Sequence, residues 1–162
     1  GLDTTGDGLV SLQDLKSLTR DQAVEIFIHH YFEAPGVSTL PVAIQASVFD
    51  MYVNAGANAV RILQSLLRQM GYSLQADGVI GPRSKLHSSD AAAIDATAFR
   101  DAYGIARRNY YFRVADRRSA SRKYARTRAG GKGGWILRAE AFMSPHYHLS
   151  KESFAKRVAQ WQ

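Results

Sequence analysis

The twelve positions from Asp3 concentrate side-chain oxygens at set intervals. In the run Asp-Thr-Thr-Gly-Asp-Gly-Leu-Val-Ser-Leu-Gln-Asp, the residues Asp3, Thr5, Asp7, Ser11 and Asp14 occupy places 1, 3, 5, 9 and 12. Gly8 stands at place 6, where such a loop must turn sharply, and Leu9 would add its backbone carbonyl. Calcium takes about six to eight oxygens, and one short segment supplies them only if it turns tightly around the ion. The spacing is that of an EF-hand loop with two departures. Thr5 is uncharged, and Asp14 is shorter than the Glu that usually closes the loop with both oxygens. The same residues also fit a solvated turn leading into a helix. No second loop of this kind follows, so an ion here would be structural rather than part of a sensor.

Asp50 and Asn54 lie four positions apart in a mostly apolar stretch and so share one helix face. Such groups are seldom buried unless they are paired or line a cleft. One reading makes them a cleft wall that hydrogen-bonds a sugar, with Tyr52 and Trp135 as stacking surfaces. The other makes Asn54 a helix cap, Asp50 the partner of an arginine, and Trp135 a core anchor. Cutting a glycosidic bond needs a carboxylic acid, usually with a second carboxylate opposite. The glutamates are Glu25, Glu33, Glu140 and Glu152. Glu25 sits beside the inward stripe of its helix and reads as a surface or paired acid. His29 and His30 are adjacent and cannot share a helix face, and His146 and His148 flank Tyr147 without an obvious third ligand.

Farther along come Leu63-Gln64, Met70-Gly71-Tyr72 and Asp77-Gly78-Val79-Ile80-Gly81-Pro82. These resemble small peptidoglycan-binding modules, which carry a Leu-Gln pair on a helix, a Gly at its end and an Asp-Gly-x-x-Gly-Pro turn. The glycines of such a turn allow positive φ, and its Asp bonds neighbouring amides. Val48-Phe49-Asp50, Val53-Asn54-Ala55-Gly56, Arg107-Arg108-Asn109-Tyr110-Tyr111 and Gly133-Gly134-Trp135 take their places in the same order. Together these motifs make nearly the whole chain similar to glycoside hydrolase family 108, whose members include phage endolysin-like muramidases. The resemblance implies a lysozyme-like helical fold, peptidoglycan glycan strands as substrate, and hydrolysis between N-acetylmuramic acid and N-acetylglucosamine. It also implies a catalytic Glu in a Glu-Gly-Gly-Tyr motif. None of the four glutamates is followed by Gly-Gly-Tyr. The catalytic acid is therefore expected upstream of Gly1, in a fold whose N-terminal helix this chain lacks. A bacterial or phage origin follows from the resemblance, with cytoplasmic synthesis before export and action in the periplasm or cell wall.

Charge points to partners of one sign. The net charge is +7, yet residues 100–138 alone hold twelve Lys or Arg against two Asp. A face this basic attracts polyanions. Peptidoglycan stem carboxylates and anionic wall polymers are the expected partners, and the alternative is a non-catalytic module that binds peptidoglycan or nucleic acid. The absence of Cys excludes disulfides, zinc–thiolate sites and thiol nucleophiles. No apolar run is long enough to span a membrane, and no signal peptide is visible.

Helices must position these residues. Periodicity predicts helices over 21–32 (capped by Thr19 with Gln22), 41–54, 58–70, 89–117, 119–128, 135–143 and 151–161, with Gln75–Pro82 as a loop. Gly56, Gly71, the cluster Gly130–Gly134 and Pro145 separate them. Strand-like alternation is almost absent, so the fold class is all-α. The expected organisation is a catalytic-type region over 1–56, including the calcium-type loop, and a peptidoglycan-binding-like region over 57–162, packed as one unit.

Overall fold

The computed structural model describes Asp3 and residues 5–161; Thr4, within the oxygen-rich loop, lies outside the described residues. The fold is all-α: among the described residues the β-type pairing is an isolated bridge between Arg126 and Lys132.

Two short helices come first, α1 (Leu12–Ser17) and α2 (Arg20–Ile28). Both start on capping boxes. Ser11 Oγ accepts from the Asp14 amide while Asp14 accepts from the Ser11 amide, and Thr19 and Gln22 repeat the exchange for α2. Each box satisfies two amides that a helix start would otherwise leave without partners. The helix predicted over 21–32 changes pitch at Ile28 and continues as a π turn over His29–Glu33. Leu12, Leu15, Val24 and Phe27 stay exposed, so neither helix buries an apolar stripe. Phe27 meets Phe49 edge-on at 5.8 Å.

The core forms where α3 (Val42–Ala55), α4 (Asn58–Gln69) and α5 (Pro82–Arg117) pack together. Ile44, Val48 and Met51 point inward from α3, Leu63 and Leu67 from α4, and Phe99, Tyr103 and Phe112 from α5. Each set recurs at helical spacing, which turns one side of each helix to the core. Gly56 divides α3 from α4 with φ +58 and ψ −137, a conformation that side chains oppose. α3 thus shares one core with the residues beyond 57.

α5 begins seven residues before the predicted Ser89. Pro82 occupies its first turn, where a missing amide costs nothing. Its early inward residues are Ser84, Ser88 and Ala91, small groups that carry the helical period without a hydrophobic signal. At Asp95 the backbone leaves the helix (φ −159, ψ 101), and the Asp95 carboxylate accepts from the Ala98 amide. The residue caps the second half of α5.

The predicted helix over 119–128 is shorter. A 3-10 turn over Ser119–Ser121 leads into α6 (Arg122–Ala125), and a tight turn follows in which the Thr127 amide donates to Gly131 O. That return brings Gly133 against the backbone of Tyr124 and Ala125, where any Cβ would collide. Next come α7 (Gly134–Glu140) and α8 (Lys151–Val158), the latter capped by Ser150.

Candidate functional site

α3 and α7 present their polar stripes to one another. Asp50 and Asn54 lie four apart on α3, and Trp135 and Arg138 lie three apart on α7, so each pair projects from one face. Asn54 Nδ2 donates to Tyr111 Oη at 2.7 Å. Tyr111 stacks on Trp135 with ring centroids 4.7 Å apart and planes 18° apart, and Tyr124 lies 5.1 Å from the other ring centroid of the pair. Asn54 and Tyr124 are exposed and Trp135 is half-buried. Tyr111 itself is buried, so the aromatic platform so formed consists of Tyr124 and the half-buried Trp135, edged by the Asn54 amide. Tyr52 stands apart from it: it packs against the core and shares no ring contact or hydrogen bond with Asp50, Asn54 or Trp135.

Asp50 anchors this face. Its carboxylate accepts from Arg107 Nη2 at 2.6 Å and from Arg138 Nη2 at 2.6 Å. Burial alone would raise its pKa, but hydrogen bonds from Arg138 and Arg107 outweigh burial and hold it below the usual carboxylate range. The Arg107 side chain is wholly buried and also donates to Ser47 O and Oγ. Arg138 is half exposed and stands three residues from Trp135 on α7. A second network lies behind α7. Glu140 accepts from Arg108, Lys132 and the Leu149 amide, and these bonds overcome burial to lower its pKa as well.

The turn after α4 is tied to that helix by Gln64. Buried Gln64 donates to Asp77, Val79 O and Ser84 and accepts from the Gly78 amide. Asp77 accepts from the Val79 amide, as expected of its turn. Gly78 has the expected positive φ (+81) and packs under the Arg61 guanidinium, whereas Gly81 has φ −98 and is extended as the cap of α5.

In the loop from Asp3 to Asp14, Gly8 adopts the left-handed turn (φ +82) that the sequence spacing requires. The carboxylates close on the loop's own backbone. Asp3 accepts from the Gly6 and Gly8 amides, Asp7 from Leu9, and Asp14 from Thr5 and Ser11. These bonds lower the pKa of Asp3, through Gly8 foremost, and of Asp14, through Ser11 foremost. Among the described residues no three Asp, Glu or His side chains converge on one point, so the donor types and the turn fit calcium while the carboxylates are not gathered around it.

Residues 58–140 match the family model described as Predicted Peptidoglycan domain, which spans α4 to α7 and includes Trp135, Arg138 and Tyr111. The chain belongs to that family. Residues 2–56 match the model described as Glycosyl hydrolase 108, and the two matches meet at the Gly56 break. No curated protein and no solved structure matches the chain. No helix of the described residues is long and apolar enough to cross a membrane. Sequence reasoning missed Arg138 as part of the α3–α7 face. Its spacing of three from Trp135 was the available signal, but its partner Asp50 lies 88 residues away.

Proposed function

We propose that this chain binds glycan strands of bacterial cell-wall peptidoglycan on the α3–α7 face, as the substrate-holding part of an N-acetylmuramidase-type hydrolase. The observation that carries the reading is the exposed Tyr124 ring beside half-buried Trp135, which stacks on buried Tyr111, with Asn54 bonded to Tyr111 and the half-exposed Arg138 three residues from Trp135 on α7. Sugars offer apolar ring faces to aromatic rings and hydroxyl or acetamido groups to amides and guanidinium groups. Asp50 acts in this reading by fixing Arg138. The family matches support a peptidoglycan partner.

Protonating a leaving oxygen calls for a carboxyl group whose pKa is raised. Every carboxylate here with a clear shift is shifted down: Asp3, Asp14, Asp50, Asp77, Asp101, Asp116 and Glu140. In our account these residues fix turns and helices, and Asp50 fixes Arg138, rather than serve as the acid. The test is co-sedimentation with purified sacculi. Retention of the chain supports the reading, and a chain that stays in the supernatant at low salt contradicts it.

Calcium at Asp3, Thr5, Asp7, Leu9, Ser11 and Asp14 is part of the proposal, supported by the ligand spacing and the Gly8 turn. The ion would draw Asp3, Asp7 and Asp14 away from the amides they now meet. In chelator-treated protein, millimolar calcium should slow amide exchange across residues 5–17, and Asp7→Ala should abolish the effect. Exchange indifferent to calcium rules the ion out.

A further inference from the structure

The fold pairs some arginines of the basic region with carboxylates and leaves others without one. Arg107, Arg108 and Arg138 are consumed in ion pairs with Asp50 and Glu140, and Arg100 pairs with Asp101. Arg113, Arg117 and Arg118 are exposed, and among the described residues no carboxylate pairs with them. Asp116, the one acid among residues 113–118, is bound by Arg157, Trp161 and Gln160 instead.

Two hollows lie beside these free guanidinium groups. The first, of about 300 Å³ between α4 and α5, is lined by Asn58, Gln69, Asn109, Tyr110 and Arg113, over the apolar floor of Ile62 and Leu66. The second, of about 400 Å³, adds Arg117 and Arg118. Asn58, Tyr110 and Arg113 line both, so the two join in one cleft in which side-chain amides stand among the guanidinium groups of Arg61, Arg113, Arg117 and Arg118. Arg113 and Arg117 lie four apart on α5, which places both charges on one face. Tyr110 also meets Tyr111, with centroids 5.9 Å apart. Through buried Tyr111 the cleft wall is linked to the Tyr111–Trp135 stack that underlies the proposed sugar surface.

We propose that this α4–α5 cleft takes the peptide stem of peptidoglycan, with Arg113 and Arg117 receiving its free carboxylates and the side-chain amides pairing with its peptide groups. The inference rests on the peptidoglycan reading above. A guanidinium suits this task because its planar donors match a carboxylate and it stays charged at every working pH. A strand that runs across both surfaces would be held through its sugars by the aromatic platform and through its stems by the cleft.

The test uses the full chain, soluble disaccharide–tetrapeptide, and the same compound with its carboxylates amidated. Arg113→Glu/Arg117→Glu is compared with Lys151→Glu/Lys156→Glu, an equal charge change at exposed sites on α8. Wild type should prefer the free-carboxylate compound by about tenfold, the product of two exposed charge contacts worth a few-fold each. The α5 pair should erase that preference and the α8 pair should keep it. If wild type binds both compounds equally, or if the two variants weaken binding alike, the cleft assignment is wrong while sacculus binding stands. Sacculus binding that disappears when phosphate-bearing wall polymers are stripped also overturns it, since the anion would then be a phosphate. A chain that binds no sacculi removes the underlying reading and the cleft with it.

Discussion

The segment before Ala34 and the body from α3 onward are held together by opposite means. Up to Glu33 the described side-chain hydrogen bonds reach no farther than nine positions along the chain: Thr5 to Asp14, Ser11 to Asp14, Thr19 to Gln22, His29 to Glu33. From α3 onward Asp50 joins Arg107 across 57 positions and Arg138 across 88. The first region leaves Leu12, Leu15, Val24 and Phe27 in solvent, and the second buries Arg107 completely. Local bonds shape each short helix, and ring contacts of Phe27 and Phe32 with Phe49 tie the segment to the body, a small share of the packing from which most helical stability in proteins comes. Long-range charge pairs, by contrast, fix how α3, α5 and α7 sit together, and hence where the platform lies.

The largest effect should come from breaking the body. Glu140→Gln leaves buried Arg108 without its charge partner, and unpairing one side of a buried ion pair costs about 3 kcal/mol or more. Urea unfolding should show the loss, with α1 and α2 unchanged in amide exchange. An unaltered midpoint would mean that this network is ornamental.

Acid should act next, and on the same region. Asp50 and Glu140 have folded-state pKa values below their ordinary ones. Their stabilisation is present above the unfolded-state pKa, near 4, and is lost as pH falls through the folded-state values. The thermal midpoint should therefore drop as pH is lowered from about 5 to 2. Asp50→Asn should destabilise at neutral pH, by about 2 kcal/mol, and flatten that acid slope. A variant with the wild-type slope would show that Asp50 is not one of the groups responsible.

The smallest effect belongs to the first region. Thr19→Ala removes the cap of α2, worth about 1 kcal/mol locally. Amide exchange should quicken across residues 20–28 while the urea midpoint of the body holds. A fall in the global midpoint would show that the two regions unfold together.

What the sequence makes legible follows the same division. The cap at Thr19, the breaks at Gly56 and Gly71 and the turn at Asp77 all depend on neighbours within a few positions, and each is found. The start of α5 was obscured because Ser84, Ser88 and Ala91 bury small side chains that carry no hydrophobic period. The true end of α6 depends on Gly133 pressing against Ala125, a contact that composition does not announce. In the candidate site, the Asp50–Asn54 stripe was visible from its spacing, and Trp135 from the glycines before it. That Tyr111 and Tyr124 would flank Trp135, or that Arg107 and Arg138 would share Asp50, depends on how three helices pack.

The central claim is that the α3–α7 face holds a glycan strand, and the most direct measurement is the affinity of the chain for a peptide-free peptidoglycan tetrasaccharide. Asn54→Ala and Tyr124→Ala alter exposed side chains at the rim of the platform and leave the buried ion pairs in place. Combined, they should weaken binding by about tenfold, equivalent to ~1.4 kcal/mol, while stability to urea falls only by the loss of the Asn54–Tyr111 bond, about 1 kcal/mol. Wild-type affinity in the double variant would place the glycan elsewhere on the molecule and contradict the account.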